Sequence, residues 1–185
     1  MNRGVLLAFI FALGWLPLHL FRAETVTEAL PFYDRSERRW VWTSIMLLTA
    51  HISAACLTLT LRPPPPAGRC ALGVAVFAAG IGFWLWGRTF IGPLGEPRLP
   101  EQPPRELRRD GAFGLVRHPL YLGVLVAASA PVAATGYIVL VATFALAATA
   151  IVARALQEER RLRAQLGPEY ERYCREVKRL IPFVW

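Results

Sequence analysis

The segment RHPLYLG, from Arg117 to Gly123, places a guanidinium, an imidazole and a phenol within a few residues of one another. Proline is well tolerated at the first position of a helix, so Pro119 predicts a helix start and puts His118 at the N-terminal cap. The free N–H groups and the positive dipole end of such a helix favour an anion such as a carboxylate. Tyr121 lies three residues beyond His118 and four beyond Arg117, so all three side chains can face one pocket. The alternative is an interfacial anchor, with arginine and tyrosine at headgroup depth.

A second polar cluster follows at the far end of a long apolar stretch. Arg154 and Glu158 are four residues apart and share a helix face, with Glu159 beside them. A carboxylate can pair with an ammonium group, and it can take a proton from a thiol or an amine. Because the first cluster offers cationic donors and the second offers carboxylates, the two together would suit a ligand that carries both a carboxylate and an ammonium.

The stretch between the clusters decides whether they can meet. Residues 119–153 hold no charge, and as one helix they would reach about 50 Å, against a hydrocarbon core of about 30 Å. The stretch must therefore fold back. The turn is predicted at PVAATG, from Pro131 to Gly136, where proline and glycine weaken the helix and small residues let two helices approach closely. Such a tight hairpin returns Arg154 to the side of the membrane on which His118 lies.

Long apolar runs define the rest of the 185-residue chain, of which 55% is hydrophobic. A helix needs about 20 apolar residues to cross a bilayer. We therefore predict an all-α integral membrane protein with about five transmembrane helices, a C-terminal helical hairpin and an amphipathic cytoplasmic tail. The first run could instead be a secretory signal, although HLFRAET offers no convincing cleavage site. The runs are residues 4–21, 40–61, 70–91 and 119–153, the last of which contains two spans.

The distribution of basic residues predicts the orientation, since lysine and arginine accumulate in cytoplasmic loops. With five spans, one side receives Arg3, Arg62 and Arg69. The other side receives four arginines in the first loop, six from Arg88 to Arg117, and eight basic residues in the tail. We expect a bacterial inner-membrane protein with its N-terminus outside and both polar clusters and the C-terminus in the cytoplasm. Arginines facing the cytosol and anionic headgroups explain the net charge of +8 without a nucleic acid.

The organisation of the chain follows from these spans. Residues 1–110 hold spans one to three and a long loop, and residues 111–185 hold the hairpin and the tail. The proline-rich sequence GPLGEPRLPEQPPRELRRDG predicts a loop rather than a helix. In the tail, apolar residues recur every three or four positions with a break at the dipeptide GP, which predicts an amphipathic segment that covers the pocket as a lid or lies at the interface. These apolar residues are Leu162, Leu166, Tyr170, Tyr173 and Val177.

A metal site is not expected from the cysteines and histidines. The three cysteines are scattered, with no CxxC pair and no ligand spacing. His19 and His51 lie singly inside spans, where a packing or helix-contact role is favoured over metal ligation.

Together these blocks resemble a known family. The combination of RHPLYLG, a charge-free hairpin, Arg154, EERRL, LGPEYERY and RLIPF is similar to the integral-membrane methyltransferases of the isoprenylcysteine carboxyl methyltransferase group. Phospholipid methyltransferases and small-thiol methyltransferases share a similar C-terminal pattern. The resemblance covers residues 111–183, and the first three spans add only compatible topology.

The resemblance implies an enzyme that uses S-adenosylmethionine to methylate a lipophilic acceptor at the cytoplasmic membrane face. It implies that His118 and Tyr121 contact the amino-acid part of this cofactor, that Glu158 or Glu159 takes its ammonium, and that Pro182 and the aromatic end of the tail close over its adenine. The implied catalytic residues are Arg154, Glu158 and Glu159. The implied cofactor-binding residues are Arg117, His118, Pro119, Tyr121, Gly123, Glu158, Glu159, Tyr170 and Pro182.

The acceptor stays open at this point, between an isoprenylcysteine-like carboxylate, a thiol and a lipid amine. Arginine outnumbers lysine twenty to one, as in high-GC bacterial genomes, where protein prenylation is not expected. Two other functions compete with a methyltransferase. One is a membrane reductase of the sterol-reductase type, which binds a nicotinamide cofactor but is about twice as long, and the other is a non-catalytic accessory protein. The sequence does not decide the oligomeric state.

Overall fold

The computed structural model describes residues 2–15, 35–90, 107, 109–182, 184 and 185, without the side chain of Glu37. The end of the first predicted span, His19 and most of the predicted proline-rich loop lie outside these residues. The described chain is helical with one isolated β-bridge, which confirms the prediction of an all-α fold. Its helices are α1 (Arg3–Trp15), α2 (Arg35–Leu61), α3 (Ala67–Thr89), α4 (Ala112–Leu115), α5 (Pro119–Thr135), α6 (Ile138–Leu166) and α7 (Pro168–Glu176).

Among the described helices, α2, α3 and α6 are long and apolar enough to cross a membrane. Helices α1 and α5 are apolar but shorter. The 17 residues of α5 lie at the lower end of the length that a spanning helix needs. Large apolar side chains such as Met46, Leu57 and Leu146 are exposed along these helices. Such uncovered apolar faces suit contact with lipid, as expected for an integral membrane protein.

Close contact between α3 and α5 is made possible by three glycines of α3 that recur every seven residues. Each faces α5 so closely that an added Cβ would meet its atoms. At Gly73 that Cβ would lie 2.6 Å from the Ala134 side chain, and at Gly87 it would lie 3.2 Å from Pro119. Small residues at helix interfaces let the backbones approach and gain dispersion contacts that lipid cannot replace. The glycines are Gly73, Gly80 and Gly87.

Gly80 offers a direct test of this interface. A Cβ at this position would collide with the backbone and side chain of Ala127, whereas a Cβ at Gly82, on the same helix, would meet nothing. We expect Gly80→Val to lower the free energy of unfolding by about 2 kcal/mol through overpacking. Gly82→Val should change it by less than about 0.5 kcal/mol. Thermal unfolding of the purified variants in one detergent measures both, and equal losses would contradict the glycine interface.

The predicted fold-back occurs at Gly136, whose φ of 70° is in the left-handed region and whose N–H donates to Val132 at 2.7 Å. Glycine tolerates this conformation because it has no Cβ. Pro131 lies inside α5 and does not end it. The prediction that the two hairpin helices pack tightly on each other needs correction, since α5 packs chiefly on α3 and α6 packs chiefly on α2. The glycines of α3 give α5 a closer partner than α6 offers.

His51 joins three of these helices. Its Nδ1 lies 2.8 Å from the Thr143 hydroxyl on α6, and its Nε2 lies 2.9 Å from the Ala128 carbonyl on α5. The residue is fully buried, so both ring nitrogens need such partners. The predicted helix-contact role of His51 is confirmed.

Candidate active site

The fold brings the start of α5, the end of α6 and the C-terminal tail to one place. Helix α5 begins at Pro119 with His118 as its N-cap, as predicted. The first 16 residues of α6 carry no charge, and its polar cluster begins at Arg154. The tail then turns at Gly167 into α7 and forms a parallel bridge between Lys178 and Val116. The two polar clusters therefore meet, with the tail beside them.

Glu159 lies at the centre of this site and is fully buried. Its Oε1 accepts hydrogen bonds from Arg117 Nε at 3.0 Å and Nη2 at 2.8 Å, and from Arg179 Nε at 2.9 Å. Its Oε2 accepts from Arg179 Nη2 at 2.9 Å, and Arg163 Nη2 is 3.5 Å away. A buried carboxylate is costly unless it is paired and hydrogen-bonded. These guanidinium groups satisfy that need from three different elements of the chain.

The electrostatic coupling extends to the tail. Hydrogen bonding to the Glu159 carboxylate raises the pKa of Arg179, although burial opposes that shift. The Arg179 guanidinium also stacks over the Trp185 ring at 4.6 Å. Arg117 binds the tail in a second way, since its Nη1 donates to the carbonyls of Cys174 and Val177. The two arginines thus tie the tail to the carboxylate.

Glu158 occupies a different environment from its neighbour. Its side chain is 47% exposed, and its Oε2 accepts a hydrogen bond of 2.8 Å from the Tyr121 hydroxyl. His118 Nδ1 lies 4.0 Å from the same oxygen, and the Arg154 guanidinium lies over the Tyr121 ring at 5.6 Å. This half of the site presents an accessible carboxylate beside two aromatic rings and a cation.

His118 links the two glutamates. Its ring is buried, with Nε2 3.4 Å from Glu159 Oε1. The direction of that contact is too far out of line for a hydrogen bond, so Nε2 has no hydrogen-bond partner among the described residues. We interpret the approach as electrostatic, since Glu159 already accepts four guanidinium hydrogen bonds. His118 makes no side-chain cap to the first turn of α5, so the N–H groups of that turn are not satisfied by it.

The remaining predicted site residues take several positions. Tyr170 is buried, and its hydroxyl has no hydrogen-bond partner in the described part of the chain. Burial raises the pKa of Tyr170, and the negative charge of Glu159 raises it further. Gly123 faces Trp84, where an added Cβ would lie 2.7 Å from the Trp84 Cβ, so helix packing accounts for this glycine. Pro182 lies in the tail, three residues after Arg179.

A second set of contacts holds α7 in place. The Tyr173 hydroxyl donates to the Phe113 carbonyl at 2.6 Å, and burial raises the pKa of this tyrosine. Arg109 lies over the Tyr173 ring at 5.9 Å and within 3.4 Å of Glu169. The amphipathic tail therefore packs its tyrosines on the protein, with the predicted break at Gly167.

Sequence reasoning missed Arg179, Arg163 and Arg109 as site residues. Arg179 could have been noticed, because it opens the block RLIPF. Nothing in the sequence spacing pointed to Glu159 as its partner, since the tail reaches Glu159 only after the turn at Gly167 and the bridge to Val116. Among the described residues, no group of histidine, cysteine, aspartate and glutamate could hold a metal ion.

Two curated proteins match part of the chain. A methanethiol S-methyltransferase of Mycobacterium tuberculosis is 46% identical over 70 residues, which are 37% of this chain and 27% of that protein. A methanethiol S-methyltransferase 2 of Bradyrhizobium diazoefficiens is 48% identical over 72 residues, 38% of this chain and 26% of that protein. The chain spans about a quarter of the length of these relatives. No family model and no solved structure matches it.

The matches relate part of this chain to methyltransferases of bacteria. Their names fall in the small-thiol branch, one of the three groups whose C-terminal pattern the chain resembles. Neither name refers to isoprenylcysteine or to a carboxyl acceptor, so membership of the isoprenylcysteine carboxyl methyltransferase group stays a prediction.

Proposed function

We propose that the protein is an integral-membrane methyltransferase that uses S-adenosylmethionine and methylates a small thiol. The observation that carries this proposal is the accessible carboxylate of Glu158, held by Tyr121 beside His118 and Arg154. The partial match to two methanethiol S-methyltransferases supports methyl transfer and a thiol acceptor. The basic residues around the site favour the cytoplasmic side of the membrane.

The residues of the site fit this cofactor. Its amino-acid carboxylate needs donors, and the first turn of α5 offers backbone N–H groups that the His118 side chain does not cap. Its ammonium and sulfonium need a negative charge, which Glu158 supplies. The buried Tyr170 hydroxyl, with no hydrogen-bond partner in the described chain, is a further polar group that a ligand could satisfy.

When bound, S-adenosylmethionine supplies a methyl group attached to a positively charged sulfur. The protein has to orient the acceptor, exclude water and balance charge, because in-line displacement needs no covalent nucleophile. In the transfer the thiol sulfur would form a bond to the methyl carbon as the bond from that carbon to the cofactor sulfur breaks, which leaves S-adenosylhomocysteine, and Glu158 would take up the proton that the thiol loses. Tyr121 holds Oε2 of this carboxylate through its hydroxyl, and the Arg154 guanidinium lies over the Tyr121 ring.

Glu159 has a separate role in this proposal. Arg117 and Arg179 already balance its charge and occupy both of its oxygens. We therefore assign it to holding the site together, and Glu158 to contact with the ligands.

The proposal is tested with purified protein in liposomes and radiolabelled S-adenosylmethionine. Methanethiol should be methylated at least ten times faster than a prenylcysteine carboxylate or a lipid amine, and S-adenosylhomocysteine should inhibit. Glu158→Gln should slow the reaction about 100-fold near neutral pH, whereas Glu171→Gln, at an exposed position of α7, should keep its rate. Methylation of the carboxylate or the amine alone would refute the thiol assignment. Binding of the cofactor without transfer to any acceptor would instead support an accessory protein.

A further inference from the structure

The C-terminal strap, defined here as residues 178–182, has one buried apolar side chain among its described contacts with the site. Its backbone accepts two hydrogen bonds, from the Arg117 N–H to Lys178 at 2.8 Å and from the His118 N–H to Arg179 at 3.1 Å. Leu180 is its buried apolar side chain, with 3% exposure. Segments with so few buried contacts open more easily than the core of a fold.

The strongest contact of the strap is the guanidinium of Arg179 on Glu159. It binds both carboxylate oxygens at 2.9 Å, and such bidentate pairs are stronger than single hydrogen bonds. Arg117 binds Oε1 only. If the strap departed, Oε1 would keep the two hydrogen bonds from Arg117, and Oε2 would lose its hydrogen bond.

Arg163 lies close to Oε2 of Glu159. It lies one turn beyond Glu159 on α6, with Nη2 3.5 Å from Oε2. Its side chain is 45% exposed, against 16% for Arg179. A half-exposed arginine at the i,i+4 position can close the last half ångström by a side-chain adjustment alone. The buried carboxylate then remains paired whether the strap is present or absent.

We propose that Glu159 is a positioning residue that latches the strap over the site, and that Arg163 replaces Arg179 on Oε2 when the strap opens. Opening would free the N–H groups of Arg117 and His118 from the strap carbonyls that accept from them, which gives a polar cofactor a way in. This use of the latch rests on the proposed function, whereas the exchange of arginines does not. The exchange lowers the cost of opening, because no buried charge is left unpaired.

The latch can be tested by thiol labelling of Leu180→Cys, a buried position that reacts only when the strap opens. The background replaces Cys56, Cys70 and Cys174 with serine. Arg179→Gln should speed labelling at least tenfold, because the closed state loses its bidentate contact. Arg163→Gln should slow labelling about fivefold, because the open state loses its replacement partner. If Arg163 only stabilised the closed structure, Arg163→Gln would instead speed the labelling.

Matched variants complete the experiment. Arg160→Gln, at an exposed position next to Glu159, should leave the labelling rate unchanged, and Arg179→Lys should restore part of the closure. Ala112→Cys, fully buried on α4, reports unfolding, and in every variant it should label far more slowly than Leu180→Cys. An unchanged rate in Arg179→Gln would overturn the latch, and an unchanged or faster rate in Arg163→Gln would overturn the exchange.

Adding S-adenosylhomocysteine separates the latch from the proposed function. It should slow labelling of Leu180→Cys if the strap closes over the cofactor. If the arginine variants behave as expected and S-adenosylhomocysteine has no effect, the latch stands and the cofactor assignment fails.

Discussion

Replacing Glu159 by glutamine should lower the free energy of unfolding by about 3 kcal/mol. The substitution keeps the shape of the side chain and removes the charge that holds the guanidinium groups of Arg117 and Arg179. Arg117 is 7% exposed, so its charge would stay buried without a counter-ion, and breaking a buried pair in this way typically costs about 3–5 kcal/mol. Chemical or thermal unfolding in a fixed detergent measures the loss.

Glu158→Gln is the matched control, since the same substitution is made one residue away. Glu158 is half-exposed, and its hydrogen bond to Tyr121 can also be made by an amide oxygen. Its loss should stay below about 1 kcal/mol, as for exposed polar pairs. Comparable losses in the two variants would mean that Glu159 does not organise the site.

The contrast between the two glutamates marks the limit of sequence reasoning. Glu158 and Glu159 are adjacent in the sequence, and helix geometry predicts only that their side chains point in directions about 100° apart. The buried one is the one that Arg117 and Arg179 bind, and Arg179 lies twenty residues further on. That residue arrives only because the chain turns at Gly167 and pairs with Val116.

The meeting of the two clusters was more accessible to prediction. A charge-free stretch of 35 residues is too long for one crossing of the bilayer, so a fold-back was required by length alone. Length alone did not determine which helix α5 packs against. The glycines at every seventh position of α3 are visible in the sequence, but only the packed structure reveals that Ala127 and Ala134 fill the space beside them.

The proposed role of Glu158 as the base is tested by the rate at which Glu158→Gln methylates a thiol acceptor. A positioned base contributes about a factor of 10² to 10⁴, so we expect kcat/KM for thiol methylation to fall about 100-fold near neutral pH. Glu171→Gln should leave it unchanged, because that residue is exposed on α7. Steady-state assays with S-adenosylmethionine in liposomes measure both variants.

The pH dependence separates a base from a purely electrostatic partner. A simple alkyl thiol such as methanethiol loses its proton only above the pKa of about 8.5 that cysteine has, and above the thiol's own pKa the acceptor arrives as a thiolate and no longer needs Glu158 to remove its proton. The reduction of kcat/KM in Glu158→Gln should therefore become smaller as the pH rises toward the pKa of the thiol. It should level off at about tenfold, which is the part due to the missing negative charge near the sulfonium. A carboxylate acceptor is already ionised at neutral pH, so any slow reaction with it should be reduced by the same factor in Glu158→Gln from neutral pH upward. If the deficit with the thiol is equally independent of pH, Glu158 does not act as the base, and its role is confined to balancing the charge of the cofactor.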